Sequence, residues 1–159
     1  MYFITMCIQN RENILGEIVN HKNVGVGALD NPKIALSDIG KIIEKHIKRT
    51  NQIYENIIID KYVIMPNHLH CIIIIDENGE AGLLRVPDTG SSRAPTPTMA
   101  NATIPALIST FKRFVNKECG YSIWQRNYYE HIIRNEKEYY RIAEYIKNNP
   151  MNWKEDKYY

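Results

Sequence analysis

Two apolar runs with almost nothing between them constrain this chain most: IIIDKYVIM, residues 57–65, and HLHCIIII, residues 68–75, separated only by Pro66 and Asn67. The Pro-Asn pair is a turn signal. The four isoleucines Ile72 to Ile75 read as a buried strand, since β-branched residues without polar alternation suit a sheet covered on both faces. That strand opens on two histidines. Residues i and i+2 of a strand point to one face, so His68 and His70 share a face and Leu69 takes the other. Two imidazoles side by side can grip one metal ion, or can form a hydrogen-bonded pair at a sheet end. From these residues alone both readings stay open.

At 159 residues, 44% hydrophobic and 24% charged, the chain suits one domain with a real core. No apolar run approaches the ~18–20 residues that a membrane helix needs. The opening MYFITMCIQNRE has neither a basic segment nor a small-residue cleavage site, and reads as a strand and not a signal peptide. Cys7, Cys71 and Cys119 are odd in number and far apart, which argues against a disulfide framework or a zinc knuckle. It favours a reducing, cytoplasmic setting. Net charge is only +2, but from residue 103 onward ten Lys and Arg face seven Asp and Glu, among eight tyrosines. Cations interleaved with aromatics suit single-stranded nucleic acid. An ordinary basic surface with core and rim tyrosines is the alternative.

Along the chain, Tyr2 to Gln9 reads as a first strand. Residues 10–32 are polar, with a short hairpin around Gly25 to Leu29. Ala35 to Thr50 has helical spacing, with Ser37-Asp38 to cap it. Strands follow at Ile57 to Met65 and from His68. Residues 78–101 collect Gly, Pro, Ser and Thr and read as a flexible insertion. A helix over Ile104 to Lys117 turns Leu107, Ile108, Phe111, Phe114 and Val115 inward and Lys112, Arg113 and Lys117 outward. A fourth strand is expected at Tyr128 to Ile133. A last helix starts at Asn135, which has capping-box spacing to Glu138, and stops at Asn149-Pro150. The order β-α-β-β-α-β-α implies a ferredoxin-like antiparallel sheet with an added C-terminal helix, an α+β fold.

On that last helix Tyr139, Ile142, Ala143 and Ile146 form one apolar stripe. Tyr145 and Asn149 sit one turn apart at its border and face the same side. A rim tyrosine held by a hydrogen bond would look the same. Tyr140 lies on the opposite border with Glu144 four residues on, a poorer setting for a group that must become anionic.

MPNHLH after an apolar strand, IWQRNYYEHIIRN and RIAEYIKNNP, in this order, resemble the single-tyrosine His-hydrophobe-His transposases, in particular the REP-associated tyrosine transposases (REP, repetitive extragenic palindrome). The likeness spans nearly the whole chain outside residues 78–101. It implies a ferredoxin-like enzyme that cuts and rejoins single-stranded DNA beside hairpins or palindromes, with a divalent Mg²⁺ or Mn²⁺ ion and a tyrosine. It implies His68 and His70 as metal ligands, Asn149 as the polar residue completing the metal site, and Tyr145 as nucleophile. His131 and Arg134 fall on a family motif and join Lys112, Arg113, Lys117 and Arg126 as DNA-contact candidates, a structural role for His131 staying open. Family members act as homodimers in one branch and as monomers in the REP-associated one. Members often carry a basic segment before the first strand and continue past the final proline, so this chain departs from the pattern at both ends.

The chemistry fits those residues. A metal ion neutralises charge on a phosphodiester. A tyrosine, with a pKa of about 10, attacks only if its proton is removed or its phenolate stabilised. A covalent phosphotyrosine then conserves the bond energy for rejoining. Two rivals are a replication-initiator or relaxase-type nickase with the same parts, and a non-catalytic binder of single-stranded or hairpin DNA.

Overall fold

Four antiparallel strands, in the order β4-β5-β1-β6, form the sheet of the computed structural model, which describes residues 1–19, 32–76 and 103–156. They are β1 (Tyr2–Cys7), β4 (Ile57–Met65), β5 (His68–Ile75) and β6 (Tyr129–Ile132). β4 and β5 are the hairpin around Pro66-Asn67, and β1 pairs with both β5 and β6. Between β1 and β4 come β2 (Gly16–Val19) and β3 (Lys33–Leu36), a separate two-stranded pair, and then α1 (Asp38–Ile53). α2 (Thr103–Cys119) precedes β6, and α3 (Glu136–Asn148) follows it. The sheet order and crossovers are those of the ferredoxin-like α+β fold. No helix among the described residues is long and apolar enough to cross a membrane.

The strand alternation sorts the helices. Ile4, Met6, Leu69, Cys71 and Ile73 join α1 and α2 in one buried cluster. Phe3, Ile72 and Ile133 join Ile142 and Ile146 of α3 in a second. Burying each such side chain stabilises the protein by about 1.5–3 kcal/mol. Those contacts hold α3 in place, since a helix of 13 residues is marginal alone. The α3 stripe packs as its spacing implies, with Tyr139 and Ala143 at its margin.

α1 begins where Ser37 caps Gly40 N (3.1 Å) and bonds Ile14 O (2.6 Å). Gly40 allows this approach, since a Cβ there would stand 2.1 Å from Leu15 O. The helical reading from Ala35 is therefore corrected: Ala35 and Leu36 belong to β3, because pairing with Gly16 and Glu17 takes their backbone groups before the cap. The expected hairpin at Gly25 to Leu29 and the insertion at 78–101 lie outside the described residues.

Candidate active site

β1 and β5 pair in a register that sets Cys7 opposite His68 and Thr5 opposite His70. Both histidines therefore sit on the α3 face. Both are buried, with ring centroids 4.4 Å apart. Each Nδ1 is engaged beside the sheet: Asn67 Oδ1 lies 2.8 Å from His68 Nδ1, and Thr5 Oγ1 lies 2.7 Å from His70 Nδ1. An amide oxygen only accepts, so His68 carries its proton on Nδ1 and keeps the Nε2 lone pair. Burial pushes the His68 pKa down to about 4; the Asp156 carboxylate opposes this and the Arg11 guanidinium adds to it. His68 is thus a neutral imidazole near pH 7, the form that binds metals.

α3 brings the other groups. Its first turn is tied to β6 by Glu138, which accepts from Arg134 N (3.0 Å) and meets His131 Nε2 at 2.8 Å. Asn135 Oδ1 caps Glu138 N (2.9 Å) as expected, but the Glu138 side chain reaches Arg134 N. The Tyr139 hydroxyl donates to Asp60 at the β4 bulge (2.5 Å), and that bond pushes its pKa up to about 12. Tyr139 is thereby occupied as an anchor, and Tyr140 is 66% exposed, away from the histidines. Two turns along from these anchors, the Tyr145 hydroxyl stands 3.2 Å from His70 Nε2, with its ring centroid 5.3 Å from that of His70.

One member of the group has no counterpart in the sequence reading. Asp156 follows the turn Trp153–Glu155, which lays the Trp153 ring 6.0 Å from His68. Its Oδ2 accepts from Asn149 Nδ2 (2.8 Å) and from the Tyr145 hydroxyl (3.4 Å), and lies 4.0 Å from His68 Nε2. One ligand atom from each of His68, His70 and Asp156 lies within 4.8 Å of the others. Asn149 Oδ1 is buried beside them and has no hydrogen-bond partner among the described residues. Two imidazole nitrogens, a carboxylate and an acceptor awaiting a cation fit a divalent ion such as Mn²⁺ or Mg²⁺. Asp156 escaped notice because Pro150 ends the helix before it, so no helical spacing links it to Asn149. A lone acid near a tryptophan was the only signal.

The basic candidates divide. Arg113, Lys117, Arg126 and Arg134 are exposed. Lys112 is not the outward cation expected. Its Nζ donates to the carbonyls of Gln125 (2.8 Å), Arg126 (3.3 Å) and Asn127 (3.1 Å), and burial lowers its pKa. The loop before β6 has carbonyls to satisfy, and Lys112 is the cation that reaches them. Phe114, expected inside, is half-buried and stacks on His46.

Comparisons with known proteins follow the same lines. No family model matches the chain. It is 37% identical to an uncharacterised protein of Haemophilus influenzae, over 99% of this chain and 84% of that one. It is 31% identical to the REP-associated tyrosine transposase of Escherichia coli, over 58% of this chain and 44% of that one, so the match spans less than half of that relative. Its fold is similar to that of a REP-associated tyrosine transposase solved bound to a REP hairpin. The TM-score there is 0.61 at 20% identity, over 96% of this chain and 67% of the other.

Proposed function

We propose that the chain is a member of the family of the REP-associated tyrosine transposases, to one of which it is 31% identical over part of its length, and that it is a metal-dependent endonuclease and strand transferase for single-stranded DNA. Its substrate is a strand with a hairpin or palindrome, cut through a 5′-phosphotyrosine on Tyr145. The observation that carries the proposal is the Tyr145 hydroxyl 3.2 Å from His70 Nε2 and 3.4 Å from Asp156 Oδ2, three groups from separate elements converging on one point. The solved relative's REP hairpin motivates the choice of a hairpin substrate.

His68, His70 and Asp156, with Asn149 beside them, would hold the ion. When bound, a Mg²⁺ or Mn²⁺ ion supplies Lewis-acid charge neutralisation for the phosphate oxygens. The residues of the chain do the rest. Phe3 and His70, stacked on each other, pack the Tyr145 ring at centroid distances of 6.1 and 5.3 Å, and its hydroxyl meets His70 Nε2 and Asp156 Oδ2. Asp156 Oδ2 accepts the hydroxyl hydrogen bond and is the group that would take the proton as it leaves the phenol. As Tyr145 Oη bonds to phosphorus, the P–O3′ bond breaks and the leaving 3′-oxygen takes up a proton. Attack of a 3′-hydroxyl on the phosphotyrosine reverses these steps and rejoins a strand. Tyr145 meets His70 of its own chain, which supports a site complete within one copy.

The test incubates the protein with labelled hairpin-bearing oligonucleotides and Mn²⁺. A denaturant-resistant protein–DNA band is expected, lost in EDTA and in Tyr145→Phe, with the adduct mapping to Tyr145. Retention of the oligonucleotide without any covalent band would identify a non-catalytic binder. An adduct on Tyr128, Tyr139 or Tyr140 would move the nucleophile and keep the enzyme class.

A further inference from the structure

Three contacts join four side chains in a row through the candidate site. Thr5 Oγ1 lies 2.7 Å from His70 Nδ1, His70 Nε2 lies 3.2 Å from the Tyr145 hydroxyl, and that hydroxyl donates to Asp156 Oδ2 at 3.4 Å. Where the hydrogens stand can be counted from either end. Thr5 is 2% exposed, and among the described residues its hydroxyl meets no acceptor but His70. Its hydrogen is therefore satisfied only on His70 Nδ1, which must be the bare nitrogen of the ring. At the far end a carboxylate only accepts, so the one Tyr145 hydrogen goes to Asp156. The Tyr145 oxygen then meets His70 as an acceptor, which puts the imidazole hydrogen on Nε2. Both ends select one tautomer, the reverse of that in His68, whose Nδ1 faces the Asn67 oxygen. The other His70 tautomer leaves the buried Thr5 hydrogen unsatisfied, which disfavours it by about 5- to 150-fold.

Thr5 takes up Nδ1, so Nε2 is the His70 nitrogen left to hold an ion, and in this tautomer it carries the hydrogen. One nitrogen cannot donate a hydrogen and hold a cation together. We propose that His70 is a tautomer switch that ties metal loading to release of the Tyr145 oxygen from this bond, a regulation of the site that rests on the reading above. In the metal-free protein the Nε2–H bond occupies the oxygen that must attack phosphorus. When the ion is held, His70 loses the hydrogen of Nε2 and carries one on Nδ1, so the ring stays neutral. Thr5 turns its hydroxyl and accepts from Nδ1, a reversal open to any hydroxyl. It is closed to Asn67, whose amide is oriented by Nδ2 donating to Arg11 O (3.4 Å). The two histidines thus divide the work. His68 is fixed in the ligand form, and His70 takes that form only by giving up its bond to Tyr145.

The experiment is nitrogen NMR on the full chain with ¹⁵N-labelled histidine at pH 8, where an ordinary imidazole, with a pKa of about 6.5, is neutral. His68→Gln and His70→Gln assign the two rings among the five histidines. In EDTA, His70 should carry its hydrogen on Nε2 and His68 on Nδ1. Zn²⁺, used as a diamagnetic probe ion, should move the His70 hydrogen to Nδ1 and leave that of His68 in place. With ¹³Cζ-labelled tyrosine, the Tyr145 signal, assigned by Tyr145→Phe, should shift in the same titration. A His70 that already carries its hydrogen on Nδ1 in EDTA overturns the switch, as does Nε2–H kept at Zn²⁺ saturation. Zn²⁺ that alters neither histidine overturns the metal site and the switch together. The covalent-adduct assay with Mn²⁺ separates these outcomes from the catalytic reading. A Tyr145 adduct with the wrong His70 tautomer overturns the switch alone. Exchange of the tautomer without any adduct retains the switch and overturns the catalytic reading.

Discussion

Asn67 ties the turn between β4 and β5 to the candidate metal site, and its removal has a calculable cost. In Asn67→Ala the buried His68 Nδ1–H loses the oxygen 2.8 Å away. Asn67 is 2% exposed and His68 0%, so bulk water does not replace it. A buried donor left unsatisfied costs about 1–3 kcal/mol. The backbone tolerates alanine, because Asn67 is not among the residues with positive φ. With about 2–4 °C lost per kcal/mol for a chain of this size, the metal-free protein should melt roughly 2–12 °C lower. Metal affinity should fall about 10- to 100-fold, since the imidazole loses the bond that sets its tautomer and orientation. Calorimetric Mn²⁺ titration and thermal unfolding in EDTA measure the two effects. Asn67→Asp restores an acceptor of the same shape and should recover most of the affinity at pH 8. Unchanged Mn²⁺ affinity in Asn67→Ala would refute the claim that this bond prepares His68 as a ligand.

His68→Ala or His70→Ala should abolish cleavage while circular dichroism and much of the DNA binding persist; activity surviving in EDTA would remove the metal from the scheme. Asp156→Asn keeps an acceptor for Asn149 and Tyr145 but loses the charge, so it should weaken Mn²⁺ binding more than Asn149→Ala does, and the opposite ranking in titrations would make Asn149 the principal third ligand. Because the folded His68 pKa lies below its ordinary 6.5, the unfolded state binds more protons as pH falls from there towards 4. The metal-free protein should therefore be most stable above that window and lose up to about 3 kcal/mol across it. Urea unfolding that shows the same pH slope in His68→Asn would assign the loss elsewhere. Lys112→Met should lower stability by about 1–3 kcal/mol through its three carbonyls. Neutralising Arg113, Lys117 or Arg126 should instead weaken oligonucleotide binding and flatten its salt dependence, read by titration at two salt concentrations.

Much of the fold was legible in the sequence because its signals are local. The β4 bounds, the Pro66-Asn67 turn, the Ser37 and Asn135 caps and the α3 stripe all follow from side-chain spacing over a few residues. Period two put His68 and His70 on one face, and period 3.6 put Tyr145 and Asn149 on one side of a helix. No local period links a strand to a helix 75 residues away, so the 3.2 Å approach of Tyr145 to His70 exists only once α3 has buried Ile142 and Ile146 on Phe3 and Ile72. The same holds for Asp156, beyond the helix-breaking proline, and for Lys112, which spacing marked as solvent-facing. Its use depends on where the 125–127 carbonyls come to lie. Sequence periodicity determined which side chains leave each element together. The packing of α3 across the sheet decided which of them meet, because burial acts between surfaces that only the folded chain brings into contact.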